Sequence, residues 1–381
     1  MIRVSVVLAL LFVISPSRAI TPQKSFEEVS KRADAARASD QITEAIGLYR
    51  EAVKLRPGWI DGWWWLGSLL YEQDRFDEAV PSFKKFVSIA PKKAPGFAFL
   101  ALCEFETHDF ASSLQHFAEW GRGGSPGDDA LLDVAGFHWA LLLTRQGRFV
   151  ESLYLLAAKA RKLGRSPALI EAMGIASLHI ANLPEDYPAE RRELVWLAGQ
   201  AAFYSAVDAF PRANAYADRL LVHYDHEPNV HYFRGTLFSL QKEFAAAEKE
   251  YRQELALSPQ HVPSIIELAF VYIDDLRPDH AVPLAERAVA VDPNNPRARY
   301  ALGRALLDTG RIQESATQLE VAKRLAPGSA QIHFSLAKTY KALGRNKEAQ
   351  QETAAFVSLK DKQEILAPAR SNTPPRQERQ R

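Results

Sequence analysis

The sequence predicts an all-α protein, a right-handed superhelical solenoid made of helix-turn-helix hairpins. The first observation is a fixed interval between prolines: Pro57 to Pro91, Pro259 to Pro293 and Pro293 to Pro327 are equal steps along the chain. The second is that apolar residues between these prolines recur at spacings of three and four, which places them on one face of a helix. A helical unit copied at such an interval predicts hairpins that bury their apolar faces by stacking on one another.

The first 19 residues have the pattern of a signal peptide. Arg3 gives a positive start, residues 4–14 form an apolar run interrupted only by Ser5, and Ser17 and Ala19 are the small residues that precede cleavage. A retained membrane anchor is the alternative, but a run of this length spans about 17 Å as a helix, against a hydrocarbon core of about 30 Å. We therefore predict cleavage after Ala19, no transmembrane segment in the mature chain, and export to a periplasm or out of the cell.

The composition is that of a folded protein without a strong electrostatic field. Of the 381 residues, 47% are hydrophobic, and 47 Lys and Arg oppose 46 Asp and Glu, for a net charge of +1. A general nucleic-acid binder carries a marked excess of basic residues. The balance therefore argues against a nucleic-acid partner.

One unit can be followed in full between residues 60 and 93. Two helical apolar patterns flank Asp74, and Pro91 ends the second, since the residue before a proline disfavours the helical conformation. Gly67 and Ala79 are expected where the two helices approach most closely. The residues that carry the pattern of this unit are Trp63, Leu66, Gly67, Ala79, Phe83 and Pro91.

These residues resemble the tetratricopeptide repeat (TPR) family, whose unit of about 34 residues follows W-x2-L-G-x2-Y, then A-x3-F, then a terminal proline. With the signal peptide, the resemblance is to an exported TPR protein of bacterial type. The predicted organisation is a signal peptide (1–19), an N-terminal TPR array (20–127), a degenerate TPR-like helical middle (128–227), a C-terminal TPR array (228–360) and a disordered tail (361–381).

Residues suited to catalysis or metal binding do not form a recognisable site. Cys103 lies in an apolar helical stretch and is expected to be buried. The glycine-rich segment 121–127 lacks the Gly-Lys-Ser/Thr ending of a phosphate-binding loop. His226 and His231 are separated by the helix-breaking Pro228, so their side chains are not expected to converge on a metal. We therefore predict no enzyme activity, no cofactor and no metal site.

The resemblance implies a concave groove lined by the first helix of each unit at its second, fifth, ninth and twelfth positions. Trp64 there is a candidate anchor for an apolar side chain, unless it packs on a neighbouring helix. Arg304 and Lys338 occupy the same position in adjacent units and are candidates for clamping an acidic group. The residues predicted for partner binding are Trp64, Tyr71, Tyr232, Tyr300, Arg304, Lys338 and Lys341.

The predicted function is a non-catalytic scaffold that binds a protein or peptide segment in this groove. Three alternatives remain open: a structural subunit of an envelope assembly complex that uses its convex face, a binder of a small ligand or polysaccharide, and an enzyme with a site in residues 167–227. The fold by itself does not choose among them. The partner and the oligomeric state are not specified by the sequence.

Overall fold

The computed structural model describes residues 25–92, 94–123 and 129–366. These residues form α-helices and two 3-10 turns, with no strand among them, which confirms the predicted all-α class. The predicted signal peptide (1–19) and residues 367–381 of the predicted tail lie outside the described residues. The final helix ends at Leu366, so its last turn and a half falls within the segment predicted as tail.

The chain forms two compact units, the first ending at Pro91 and the second beginning at Lys92. The first unit contains α1 (Phe26–Ala38), α2 (Ile42–Leu55), α3 (Ile60–Glu72) and α4 (Phe76–Ile89). The second contains α5 (Ala94–Glu106), α6 (Phe110–Arg122), α7 (Asp129–Arg145), α8 (Phe149–Leu163), α9 (Pro167–Ser177), α10 (Arg192–Ala206), α11 (Phe210–Tyr224), α12 (Val230–Leu240), α13 (Phe244–Leu257), α14 (Val262–Asp274), α15 (Pro278–Val291), α16 (Pro296–Asp308), α17 (Ile312–Leu325), α18 (Ala330–Ala342) and α19 (Asn346–Leu366).

Each hairpin closes where a small residue lets two helices approach. A Cβ placed on Gly67 in α3 would lie 2.9 Å from the Phe83 ring of α4, and Ala79 is fully buried beside it. Gly235 meets Tyr251, and Gly303 meets Leu319, in the same way. The predicted role of glycine at the close approach is therefore confirmed.

A left-handed residue follows the first helix of every hairpin. After α3 this residue is Asp74, with φ of 54°, and the next N–H, that of Arg75, donates to the carbonyl of Leu70 at 2.9 Å. This is a Schellman closure, which satisfies helix-end carbonyls and stops the helix. The left-handed residues are Asp40, Asp74, His108, Gly147, His179, Asp208, Lys242, Leu276, Gly310 and Gly344.

The spacing of these turns shows where the repeat is regular. From Asp40 to Asp74 to His108 it equals the interval between the prolines, and it does so again from Asp208 through every turn to Gly344. The regular period therefore resumes at Asp208, within the 128–227 segment that the sequence predicted to be degenerate. The irregular part is confined to the turns at Gly147 and His179.

The repeated proline has a structural partner as well as a helix-ending role. At three of the five repeated prolines the carbonyl accepts a hydrogen bond from a side chain six positions further on, whereas the carbonyl of Pro259 accepts one from Arg287. The Trp63 indole donates to Pro57 at 2.8 Å, Arg299 donates to Pro293 at 3.0 Å, and the His333 ring lies 2.9 Å from the carbonyl of Pro327.

One first helix, α9, has no second helix after it. It closes with the usual turn, because His179 is left-handed and the Ile180 N–H donates to the carbonyl of Ile175 at 3.0 Å. Residues 180–191 then form only two 3-10 turns, and α10 packs directly on α9. The two backbones touch: a Cβ on Gly174 would lie 2.0 Å from the Val195 carbonyl oxygen, and one on Gly199 would lie 1.9 Å from that of Ile170.

These glycine contacts also show the direction of the two helices. Residue 174 lies against 195 and residue 170 lies against 199, so α9 and α10 are antiparallel. Both are first helices, since each ends in a left-handed turn. In a regular array all first helices point the same way, because they alternate with second helices. The hairpins from α10 onward therefore point in the direction opposite to those that end with α9.

Candidate partner-binding groove and a cluster at the reversal

The second unit contains an open cavity of about 1030 Å³ beside the ends of α12, α14 and α16 and the turns that follow them. We call it the C-terminal groove; it is lined by Leu240, Phe244, Ile273, Leu276, Arg304 and Asp308, among others. Leu240 is 61% exposed and Leu276 is 88% exposed, so two large aliphatic side chains face solvent here. The groove thus offers an apolar floor to a ligand.

Charged side chains of both signs lie along this floor. Arg304 is 3.5 Å from a carboxylate oxygen of Asp274, and Lys242 and Asp308 are also in the lining. Because the pair is solvent-exposed, it contributes only about 0–1 kcal/mol to stability. Both groups therefore remain able to exchange this contact for one with a ligand.

A second group of side chains lies where the direction of the hairpins reverses. We call it the junction cluster, and it consists of Phe149, His179, Tyr232, His261, Glu267 and Arg297. The His179 ring stacks on Phe149 with 4.4 Å between centroids and lies 4.6 Å from Tyr232. The reversal explains this contact, since it brings the turn end of α9 beside the starting turns of α12 and α14.

The remaining members of the junction cluster come from two helix starts. His261 precedes α14, and its Nδ1 accepts the backbone N–H of Ser264 at 3.3 Å as an N-cap. Its ring centroid is 5.4 Å from that of Tyr232 and 6.5 Å from that of His179. Arg297, at the start of α16, donates to Glu267 at 2.6 Å, and its side chain is 44% exposed.

Burial keeps both imidazoles of the junction cluster neutral at neutral pH. The pKa of His179 is lowered to about 4, first by burial and then by unfavourable electrostatic interactions with His261 and Arg297. Burial also lowers the pKa of His261, against the opposing effect of Glu254. Since Nδ1 of His261 accepts a hydrogen bond, the proton of the neutral ring lies on Nε2, which makes Nε2–H a donor.

Comparison with known families agrees with the hairpin architecture. Residues 30–94 and 267–330 match the family model described as tetratricopeptide repeat. Both stretches therefore consist of tetratricopeptide repeats, the family that the sequence resembles. Each matched stretch spans close to two repeats, one at each end of the described chain. No curated protein matches the chain significantly.

Solved structures resemble part of the chain. MamA from Desulfovibrio magneticus RS-1 is 19% identical, covering 45% of this chain and 97% of its own, with a TM-score of 0.40. YrrB, described as a TPR protein with an unusual peptide-binding site, is 20% identical, covering 46% of this chain and 91% of its own, with a TM-score of 0.36.

In the first TPR unit the two predicted groove aromatics pack within their own hairpin. The Trp64 ring lies 5.1 Å from Phe86 and 6.0 Å from Phe83, both in α4. The Tyr71 ring lies 5.5 Å from Phe76. Both side chains are half-buried, so the packing alternative describes the contacts of Trp64. A role for its exposed edge in binding stays a prediction.

In the C-terminal TPR array the predicted groove residues do not contact one another. Arg304 lies in the groove, but it pairs with Asp274. The Lys338 ammonium lies 4.6 Å from the Phe334 ring centroid, and the Tyr300 ring lies 5.7 Å from that of Phe270. Lys341 is exposed on α18. Arg304 and Lys338 thus each have a contact of their own, and the structure does not show them forming a shared clamp.

Tyr232 is the predicted residue whose position differs most from expectation. It is only 6% exposed, because the turn of α9 covers it in the junction cluster. Sequence reasoning also missed His179 and His261. The signal for His179 was present. Seven of the nine other turns are followed by an aromatic or aliphatic helix start, as in Gly147-Arg148-Phe149, whereas His179-Ile180-Ala181 leads into prolines.

Three further observations on the described residues concern thiol chemistry, metal ligands and membrane-spanning length. Cys103 is buried, and burial raises the pKa of its thiol to about 12, so it is not poised as a nucleophile. Across the described ranges, no three His, Cys, Asp or Glu side chains converge as metal ligands. None of the described helices combines the length and apolarity needed to cross a bilayer.

Proposed function

We propose that this TPR protein is a non-catalytic scaffold that binds a segment of a partner protein in the C-terminal groove, and that it acts after export, in a periplasm or outside the cell. The TPR fold is typical of protein–protein interaction. Support for the groove comes from its open volume of about 1030 Å³ and its exposed leucines. Support for export comes from Arg3 and the apolar run at residues 4–14.

Leu276 carries the argument for the groove. It occupies the left-handed turn position, with φ of 59°, which is unfavourable for any residue with a branched side chain. The equivalent positions of the neighbouring hairpins hold Asp208, Lys242, Gly310 and Gly344, which are polar or lack a side chain. A leucine that is 88% exposed in this position contributes little to the fold. It is well placed to contact an apolar ligand side chain.

The test is site-specific photocrosslinking from the mature chain in its native extract. A benzophenone amino acid at Leu276 is expected to give a discrete adduct with the partner. The matched position is Val291, which is 42% exposed at the end of the second helix of the same hairpin. An adduct from Val291 and none from Leu276 would disprove groove binding.

The opposite result, an adduct from Val291 and none from Leu276, would also agree with a feature of the structure. Leu257, Val291 and Leu325 end three successive second helices, lie one repeat apart, and are each about two-fifths exposed. This row of aliphatic side chains favours the second candidate, a structural subunit that uses its convex face. The two crosslinking positions therefore separate the two functions.

Export is tested independently of binding. The full chain, expressed in a bacterium, is expected to appear in the periplasmic or secreted fraction with Ile20 as its first residue. A chain that keeps its N-terminus and stays in the cytoplasmic fraction would refute this part of the proposal. The crosslinking result would stand in either case.

A further inference from the structure

We propose that a basic surface beside the reversal binds an acidic segment of a partner protein. We call it the arginine–tyrosine patch, and it consists of Arg161, Arg165, Tyr204, Arg212, Tyr216 and Arg219. The inference rests on the proposed function, since it assumes a protein partner. It adds a second surface, because none of these residues lines the C-terminal groove.

The reversal assembles the patch from successive helices. Because α10 packs antiparallel on α9, the end of α8 and the start of α9 lie beside the end of α10. Arg161 donates to the carbonyl of Ala206 at 3.1 Å, and Arg165 donates to the hydroxyl of Tyr204 at 3.3 Å. The Tyr204 ring stacks on that of Tyr216 in α11, with 5.7 Å between centroids. The patch is therefore continuous from α8 to α11.

Two further arginines flank the stacked tyrosines. Arg212, Tyr216 and Arg219 follow one another at helical spacings of four and three, so they lie on one face of α11. The Arg212 guanidinium lies 5.4 Å from the centre of the Tyr204 ring, and that of Arg219 lies 5.8 Å from the centre of the Tyr216 ring. The arginines of the patch are exposed and its tyrosines are half-buried. Four guanidinium groups thus gather around one pair of rings.

Among the described residues, none of these four guanidinium groups has a carboxylate partner. Their contacts are with a backbone carbonyl, a tyrosine hydroxyl and two tyrosine rings. Other arginines of the second unit pair with a carboxylate, as Arg297 does with Glu267 and Arg345 with Glu348. A guanidinium group has five N–H donors, so most donors of the patch are available to a ligand.

The local charge is strongly positive. Residues 161–165 and 204–219 contain the four arginines and Lys162 against two acidic residues, Asp208 and Asp218. Lys162 and Asp218 each form an ion pair with a residue outside these two segments. The four arginines are therefore balanced only by Asp208 within these segments, and the surface is complementary to a ligand with several negative charges.

The position of Arg212 is unfavourable for its own helix. It lies in the first turn of α11, where the positive end of the helix dipole opposes a positive charge, and that turn contains no acidic residue. A bound carboxylate would be attracted by both the guanidinium group and the helix N-terminus. This placement therefore favours a role in binding an anion over a role in stabilising the fold.

The geometry of the patch favours a peptide over a lipid surface. Arg212 and Arg219 are two helical turns apart, which is about 10.5 Å, and residues three apart in an extended chain are about 10 Å apart. A segment with an acidic residue at every third position therefore matches both arginines. Guanidinium also binds a carboxylate through two parallel hydrogen bonds, which lysine cannot do. Attraction to an anionic membrane does not distinguish arginine from lysine.

The experiment is a fluorescence-anisotropy titration of the full chain without its predicted signal peptide, at low ionic strength. The probe is fluorescein-labelled Gly-Glu-Gly-Gly-Glu-Gly-Gly-Glu-Gly-amide, and the control peptide has glutamine in place of each glutamate. Sedimentation with phosphatidylglycerol vesicles, and with phosphatidylcholine vesicles as their control, tests the lipid surface.

Saturable binding of the glutamate probe, and none of the glutamine probe, would support the proposal. The double variant Arg212→Gln, Arg219→Gln should weaken binding about tenfold, with an unchanged melting temperature because both side chains are exposed. The matched double variant, Arg304→Gln, Arg324→Gln, removes the same charge from α16 and α17 and should leave the affinity unchanged.

Three results would overturn the proposal. Equal binding of the two peptides, or none of either, would show that the patch does not recognise carboxylates. A loss in the Arg304 and Arg324 variant as large as that in the Arg212 and Arg219 variant would show that overall charge attracts the probe. Binding of phosphatidylglycerol vesicles without binding of the glutamate probe would assign the patch to a membrane.

The outcome for the patch is separate from the outcome for the groove. If the glutamate probe did not bind, an adduct from Leu276 would still support groove binding. If crosslinking from Leu276 failed while the probe bound in an Arg212- and Arg219-dependent manner, the proposed groove would be wrong and the patch would remain.

Discussion

Substituting Gly174 by alanine tests the most unusual contact in the structure, the direct backbone packing of α9 on α10. The added Cβ would lie 2.0 Å from the carbonyl oxygen of Val195, well inside the 3.0 Å limit that real Cβ atoms respect. The obstacle is main chain, so no side-chain rotation relieves it. The two helices must separate along their length.

The expected loss follows from how tightly this interface is packed. Overpacking a well-packed core costs about 1–3 kcal/mol, and a clash with backbone belongs at the upper end. Separation would also weaken the contacts of buried Ile170 and Leu197. We therefore expect Gly174→Ala to destabilise the protein by about 3 kcal/mol, and Gly199→Ala to have a similar effect.

The control is Gly136→Ala in α7, where a Cβ meets no atom within 4 Å. There, alanine should stabilise the helix by about 0.5–1 kcal/mol, because it restricts the unfolded chain. Urea unfolding followed by tryptophan fluorescence would measure both changes, with Trp196 on α10 beside the contact. If Gly174→Ala were neutral while Gly136→Ala stabilised the chain, α9 and α10 would not be in backbone contact, and the reversal would lose its basis.

The remaining predictions concern His179, Leu276 and the predicted basic clamp. Because burial holds the pKa of His179 at about 4, against 6.5 in the unfolded chain, the unfolded state binds more protons between these values, and stability falls as the pH drops from 7 to 4. His179→Phe should remove at most about 3 kcal/mol of that loss. Urea unfolding at pH 5 and pH 8 measures it, and a variant that loses as much stability between these pH values as the parent chain would contradict the prediction. Leu276→Gly should raise stability by about 1 kcal/mol by relieving the left-handed backbone, yet weaken partner binding; unchanged partner affinity would exclude Leu276 from the interface. Replacing both Arg304 and Lys338 by glutamate should weaken an acidic partner segment about tenfold if the predicted clamp operates, and unchanged affinity in a binding titration would reject it.

The regular hairpins were predictable because their determinants are local. A helix face, a small residue at the close approach and a proline that ends the unit are all visible within a single repeat, as between Trp63 and Pro91. Each copy repeats the same contacts with its neighbour, so one unit read correctly gives the next. This is why the fold class, the resemblance to tetratricopeptide repeats and the close approach at Gly67 could be stated before the structure.

The binding residues were less predictable, because they depend on contacts between units. Arg304 was expected beside Lys338 from its repeat position, but the nearest carboxylate, Asp274, is on the preceding first helix. Tyr232 was expected in the groove from the same rule, and the rule fails because the turn after α9, which lies outside the regular hairpins, packs on Tyr232. Position within a repeat predicts surroundings only where no irregular element packs on that repeat.

The reversal of direction follows from the absence of a second helix between α9 and α10. Successive helices in such an array alternate in direction, so a first helix keeps its direction only if one second helix separates it from the previous first helix. Residues 180–191 have no such helix, and α10 occupies the place of the missing one. Every later first helix inherits the opposite direction, although its own sequence is unaltered. A loss at one point thus changes the partners of distant residues, and His179 meets Tyr232 and His261 although both lie several helices further along the chain.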